Sequence, residues 1–239
     1  PLKVLEFVRH EDGVWNLPQA ALLEVAARFP GVEFVSPGTQ AEADRMLPEA
    51  DVVLGWAVTP HNFALARRLR WIHLTAAGVG SQLFPGLVAS DVVVTNARGI
   101  HAVSMAEHAI AMLLSFARKL HLSRDAQRED RWRHRELWSE PPEFRSLQGS
   151  ALGIVGLGAV GSAIATRAAA LGMTVRAVTR TPRRDPAPAS EVWTPDRLGD
   201  LAAASDWLVL VAPGTAATQG MVGRAVLERM PRHAVLVNL

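Results

Sequence analysis

Residues 151–161 read Ala-Leu-Gly-Ile-Val-Gly-Leu-Gly-Ala-Val-Gly, and an alanine-rich segment follows to residue 171. The apolar run 152–155 has the length of a buried strand, and 160–171 has the length of a helix. Between them stands Gly156-x-Gly158-x-x-Gly161. Glycines at this spacing form a tight strand-to-helix turn whose backbone can come close to a diphosphate. The free N–H groups at the helix start, those of Ala159 and Val160, favour its negative charge. A second apolar strand is predicted over 174–178, which completes a βαβ unit of the expected size. Gly156, Gly158, Ala159, Val160 and Gly161 are therefore candidate cofactor-binding residues.

Outward from this unit, strands and helices alternate. Strands are predicted over 2–8, 32–35, 51–54, 71–75 and 92–95, with helices over 17–29, 41–47 and 62–69 between them. Beyond the glycine motif, strands are predicted over 191–193, 207–211 and 234–238, and helices over 197–204 and 224–229. Alternation of this kind implies an α/β protein with parallel sheets covered on both faces and right-handed connections. A second domain of this kind runs from Leu147. Between the two runs of strands lies one strong helix, predicted over 101–121. Ala106, Ala109, Ile110, Leu113, Leu114 and Ala117 form its apolar face. Residues 123–145 are polar and arginine-rich and read as a surface excursion. Trp132 and Trp138 within it suggest packing onto another domain or subunit.

The 239 residues are 49% hydrophobic and 20% charged, which suits a soluble globular chain with a sizeable core. A net charge of +2 is a small surplus and not a nucleic-acid footprint, which needs basic residues clustered on one face, so a nucleic-acid partner is not expected. Cysteine is absent, which excludes disulfides, thiolate metal sites and a cysteine nucleophile, and cytoplasmic residence fits. No His, Asp and Glu spacing matches a metal site, so no metal is expected. The uncharged stretch 146–166 is long enough for a membrane span, but its five glycines fit the strand-turn-helix reading instead. No membrane partner is expected.

Side chains at predicted strand ends refine the cofactor. An NAD-preferring domain carries an acid at the end of its second strand, to accept from the ribose 2′-hydroxyl. Here that place reads Thr179-Arg180-Thr181-Pro182-Arg183-Arg184. A guanidinium there pairs with a 2′-phosphate that a carboxylate would repel, so NADP is favoured over NAD. Ligands in open α/β sheets sit beyond the carboxyl ends of strands, which adds Pro213, Thr218 and Asn238 to the same rim. In the first domain, Thr75-Ala76-Ala77-Gly78-Val79-Gly80 also follows a strand. Small residues there expose successive N–H groups that could bind a carboxylate, with Ala77, Gly78 and Val79 at its centre. His101, Glu107 and His108 invite a catalytic reading, but Glu107 and His108 are adjacent on one helix and face different directions. A hydrogen-bonded structural role is expected for them.

Four blocks in order resemble the D-isomer-specific 2-hydroxyacid dehydrogenase family: Ala77-Gly78-Val79-Gly80; Ser104-Met105-Ala106-Glu107-His108; Gly156-Leu157-Gly158-Ala159-Val160-Gly161; and Met230-Pro231 through Ala234-Val235-Leu236-Val237-Asn238. The run from Pro213-Gly214-Thr215 to Thr218 is similar to a fifth family segment. The resemblance covers essentially the whole chain and adds Ser104 to the cofactor set. It implies two Rossmann-like, doubly wound domains, 1–99 for the substrate and 100–239 for the cofactor, with the cofactor domain inserted into the substrate domain, a homodimer, and hydride transfer between NAD(P)H and a small 2-oxo acid. It also implies a catalytic Arg, Glu and His, which in the family follow the position of Asn238. All three are expected beyond Leu239, so no catalytic residue is assigned. Without an acid at Thr179, glyoxylate or hydroxypyruvate is the expected substrate class, with Trp56 and Ala77 limiting substrate size. A dinucleotide-sensing binding protein without turnover, like the family's corepressor members, is the alternative. A methyltransferase is a weaker third reading, disfavoured by the full glycine spacing and Arg180.

Overall fold

Ten parallel strands build two five-stranded sheets in a computed structural model that describes residues 1–9, 16–181 and 185–239. The chain divides into two compact units, Pro1–Arg98 and Gly99–Leu239. The first runs β1 (Leu2–Phe7), α1 (Gln19–Arg28), β2 (Val32–Val35), α2 (Gln40–Met46), β3 (Val52–Gly55), β4 (Trp71–Leu74), α3 (Pro85–Val88) and β5 (Val93–Asn96). Its strand order is β2-β1-β3-β4-β5, so the order reverses between β1 and β3. Leu5, Val53, Ile72 and Leu74 pack with Ala43 and Leu47 into its core.

The second unit opens with three helices, α4 (Ala102–Ala117), α5 (Leu120–Arg128) and α6 (His134–Ser139). It continues through β6 (Ala151–Val155), α7 (Ala159–Ala170), β7 (Thr174–Val178), β8 (Glu191–Trp193), α8 (Leu198–Ala203), β9 (Trp207–Leu210), α9 (Arg224–Leu227) and β10 (Val235–Asn238). The order is β10-β9-β6-β7-β8, with the reversal between β6 and β9. Alternation along the strands sorts the two cores. Leu152 and Ile154 of β6, with Val175, Ala177, Trp207 and Val209, join the apolar faces of α4 and α7. Val155, Val178 and Leu208 point to the other face and join Leu198 and Leu201 of α8. Both faces of this sheet are therefore covered, as a run of consecutive apolar strand residues requires. Burial of each such Leu or Ile contributes roughly 1.5–3 kcal/mol.

Two expectations need correction. The helix expected over 62–69 is only a single 3-10 turn, Phe63–Leu65. Asn62 is buried, and its side chain accepts from Thr59 N at 2.7 Å and donates to Ala57 O at 2.8 Å. These local bonds compete with helix formation. The helix expected over 101–121 breaks at Lys119, which adopts φ +51°. The Lys119 side chain is fully buried; its ammonium donates to the carbonyls of Leu137 and Glu140 and lies 4.9 Å from the Phe144 ring centroid. Turning the chain there delivers the ammonium to that cage. The stretch 123–145, read as a surface excursion, carries α6 and most of α5, and Trp132 is 90% exposed and Trp138 69% exposed. Among the described residues, no helix is long and apolar enough to cross a membrane, and no group of three or more His, Cys, Asp or Glu could hold a metal ion.

At the amino edge of each sheet, an aspartate ties the two strands of the reversal together. Asp51, just before β3, accepts from Lys3 N at 3.0 Å and from the Arg68 guanidinium. Asp206, just before β9, accepts from Ala151 N at 2.8 Å and pairs with His233 Nε2 at 2.7 Å and with Arg145 at 3.5 Å. The Lys3 amide, with Arg68, holds the Asp51 carboxyl below the usual carboxylate range. Burial acts to raise Asp206, but the Ala151 amide, His233 and Arg145 outweigh it and hold Asp206 low as well. A depressed folded-state pKa gives stability that is complete above the unfolded value, about 3.9, and is lost as pH falls through the lower folded value. Asp206→Asn is accordingly expected to reduce unfolding free energy at neutral pH, with the gap from wild type closing in acid. Urea titrations across that range check this, and a gap that stays constant down to full carboxylate protonation would contradict it.

Candidate functional site

The carboxyl edge of the second sheet gathers the glycine motif. Gly156 follows β6 directly and adopts φ +103°, where a β-carbon would lie 2.8 Å from Ala212 N, just past the end of β9. Neither the conformation nor the space admits a side chain. Gly161 is buried in the first turn of α7, and a β-carbon there would overlap the carbonyl oxygen of Gly156. The turn is thus pressed against β9, and α7 is pressed against the turn. Gly158 is the helix N-cap and brings no side-chain cap. Helical bonding begins with Ser162 N donating to Gly158 O at 2.9 Å, so the amides of Ala159 and Val160 meet no acceptor among the described residues. This bare helix start lies where the strand order reverses, the place where open α/β sheets take ligands.

Neighbouring strand ends supply the rest of this rim. Thr179 follows β7; it is half-buried, and its amide donates to Trp193 O at 3.0 Å. Arg180 and Thr181 are exposed, and Arg180 makes no hydrogen bond or ion pair with the described residues. Arg183 and Arg184 lie outside the described residues. Beyond β9, the Thr218 hydroxyl donates to Pro213 O at 2.6 Å and accepts from Thr215 N at 2.9 Å, which clasps residues 213–218 into one loop. Asn238 ends β10, level with Leu210, and is exposed. The Ser104 hydroxyl donates to His101 O at 3.2 Å and so is engaged by the first turn of its own helix. Glu107 accepts from Arg167 of α7 at 3.4 Å, which ties α4 to the helix that starts at the motif.

In the first unit, Trp56 follows β3, its indole half-buried against the core and its amide donating to Phe7 O at 2.9 Å. After β4, Ala77 O accepts from Asn96 Nδ2 at 2.5 Å. That bond fixes the loop from its carbonyl side. The amides of Ala76, Ala77, Gly78 and Val79 donate to no partner among the described residues. Val79 packs on the core, whereas Ala77 and Gly78 are exposed. The order of strands puts Trp56 and this loop at adjacent carboxyl ends.

Two features of these edges have little or no signal in the sequence. Glu6, buried in β1, accepts from Val8 N at 2.9 Å and from both terminal nitrogens of Arg9 at 3.1 and 3.2 Å, which neutralises its charge. At the end of β8, Arg197 lies over the Trp193 ring, 3.9 Å from its centroid. Arg197 and Arg229 together hold the Asp200 carboxyl below the usual range, so it stays ionised between them. An i,i+3 Arg–Asp spacing is the only hint of this cluster in the chain, and such spacings are common on solvated helices.

The pattern of the D-isomer specific 2-hydroxyacid dehydrogenase NAD-binding domain matches residues 110–239. A D-3-phosphoglycerate dehydrogenase of Methanocaldococcus jannaschii is 25% identical over 234 residues, 96% of this chain and 42% of that protein. A glyoxylate reductase of Thermococcus kodakarensis is 32% identical over 180 residues, 74% of this chain and 54% of that protein. The chain thus spans about half the length of the curated relatives it matches. The crystal structure of a D-isomer specific 2-hydroxyacid dehydrogenase family protein from Aeromonas salmonicida superposes with a TM-score of 0.81 at 27% identity, covering 100% of this chain and 73% of that one. Fold, motif order and family pattern agree, and the chain belongs to the D-isomer specific 2-hydroxyacid dehydrogenase family.

Proposed function

We propose that the second unit holds a nicotinamide dinucleotide across the carboxyl edge of its sheet. It does so in the service of an oxidoreductase acting on a small 2-oxo acid or its D-2-hydroxy counterpart. The observation that carries this reading is the packing of Gly161 on Gly156, which leaves the Ala159 and Val160 amides bare at a strand-order reversal. A diphosphate suits that cradle, because two unpaired N–H groups and the helix dipole meet its charge together. Ala159 and Val160 bind it, with Gly156, Gly158 and Gly161 keeping the space clear. Thr179, Arg180 and Thr181 flank the adenosine ribose. Pro213, Thr218, Asn238 and Ser104 line the remainder, with Thr218 acting through the loop it clasps. When bound, the nicotinamide accepts or supplies a hydride at its C4. In the first unit, the free amides around Ala77, Gly78 and Val79 receive the substrate carboxylate, and Trp56 bounds the space beside them. The Arg, Glu and His of the family pattern are assigned to no residue of this chain.

Glyoxylate or hydroxypyruvate is the proposed substrate class, in line with the name of the Thermococcus kodakarensis relative. The name of the Methanocaldococcus jannaschii relative makes a phosphorylated 2-hydroxy acid the competitor. The proposed cofactor is NADP. Arg180, past the end of β7, makes no ion pair with the described residues, and no carboxylate stands at Thr179 to take the 2′-hydroxyl. Calorimetric titration should find NADPH bound more tightly than NADH. Arg180→Asp should weaken NADPH about tenfold or more, the value of one charge-assisted bond, and spare NADH. An unchanged preference in that variant would remove the charge argument.

The proposed assembly is a homodimer through α5 and α6. Leu120, Trp132 and Trp138 are exposed there around a groove of about 890 Å³. Large aromatic side chains of this kind are typical interface anchors. Sedimentation should give a dimer for the wild type and a monomer for Trp132→Glu/Trp138→Glu. A wild-type monomer at high protein concentration would refute it.

A further inference from the structure

The end of β8 carries a side-chain arrangement that the cofactor site above does not use. Trp193 is the last residue of that strand, level with Val178, and its carbonyl accepts the Thr179 amide. Its indole is half-buried against the Val155, Val178 and Leu198 core, and its Nε1 donates to Glu191 at 3.2 Å. Glu191 is itself paired with Arg176 at 2.9 Å. The indole is thereby fixed from below and from its edge. Arg197 rests on the open face, and its Nε donates to Asp200 Oδ2 at 3.1 Å. Asp200 Oδ1 takes Arg229 at 2.8 Å, so one carboxylate serves two guanidinium groups and a positive charge is left over.

The two terminal nitrogens of Arg197 make no hydrogen bond with the described residues. A planar guanidinium is therefore seated on an aromatic face, anchored through its Nε, and presents an open fork at the carboxyl edge of the sheet. Arg180 lies two residues past the end of β7, the strand paired with β8, and makes no hydrogen bond or ion pair with the described residues. Two free cationic forks at neighbouring strand ends suit a compact dianion. A phosphate monoester is such a group, with a charge of about −1.5 to −2 and three acceptor oxygens. Arginine meets it bidentately, and a guanidinium already held in place loses less freedom on binding.

We propose that Arg197, seated on Trp193, is a second specificity-determining residue for the adenosine 2′-phosphate of NADP, acting beside Arg180. The inference rests on the NADP reading above. A ribose 2′-hydroxyl gives the fork no charge to pair with, so Arg197 separates the two cofactors without adding to the affinity they share. Trp193 is a positioning residue, since it acts only through the seat it gives Arg197.

Calorimetry on the chain with adenosine 2′,5′-bisphosphate and adenosine 5′-monophosphate tests this without any need for turnover. The wild type is expected to prefer the bisphosphate. Arg197→Ala should weaken the bisphosphate about tenfold, as expected for loss of one charge-assisted contact, and leave the monophosphate unchanged. Arg197→Lys keeps a charge but loses the fork, and should fall between the two; it carries the test if the alanine variant does not fold. Trp193→Leu should move the bisphosphate in the same direction with Arg197 intact. If Arg197→Ala and Arg197→Lys change both ligands equally or neither, while the wild type keeps its preference and Arg180→Ala removes it, this inference fails and the NADP reading survives. A wild type with no preference for the bisphosphate overturns both.

Discussion

Gly161 touches the Gly156 carbonyl with no side chain between them, and that contact sets how close α7 comes to the end of β6. Adding a single methyl at Gly161 would force the helix away from the turn. Overpacking of this order typically costs about 1–3 kcal/mol, but the greater loss is positional. The amides of Ala159 and Val160 move with the helix start, and an anion site built from backbone has no side chain that could rotate to compensate. Gly156 adds the second constraint, because its left-handed turn lets the chain pass Ala212 at van der Waals distance. The cradle is thus a consequence of packing between three backbones. A helix start by itself contributes only about 0.3–1 kcal/mol towards an anion. Tight dinucleotide binding through this edge therefore needs the arginines as well as the amides.

The two edges of each sheet divide the work. At the amino edges, polar groups are paired: Asp51 with the Lys3 amide and Arg68, Asp206 with the Ala151 amide and His233. These bonds lock the strand pairs on which each reversal is built. At the carboxyl edge of the second sheet, groups are left without partners among the described residues: two helix amides, the side chain of Arg180 and the fork of Arg197. Leaving donors unpaired at an exposed rim costs little, because water satisfies them until a ligand does. The first unit repeats the scheme with the amides after β4, which the Asn96 bond to Ala77 holds in place.

The apolar runs of β6 and β9 were legible because both sides of each strand are buried, so the sequence shows near-continuous hydrophobicity there. The glycine motif was legible because its spacing is a backbone requirement. What escaped depends on long-range partners. A fully buried lysine cannot be told from a surface one by spacing, and Lys119 ends a helix only because Leu137, Glu140 and Phe144 offer it a cage. Asn62 defeats a helical pattern through contacts with Ala57 and Thr59, which no periodicity encodes. Arg197 stacks on an indole four residues earlier in the chain, and only the short strand and following turn bring the two together.

In the proposed site, backbone amides exposed by glycine packing grip the diphosphate of a nicotinamide dinucleotide. Amide NMR during titration with NADPH addresses it most directly. The Ala159 and Val160 resonances are expected to shift first and furthest and to saturate together with that of Arg180, while those of α5 and α6 stay in place. Binding of NADPH with the Ala159 and Val160 amides unmoved, or their failure to respond at saturating cofactor, would contradict it.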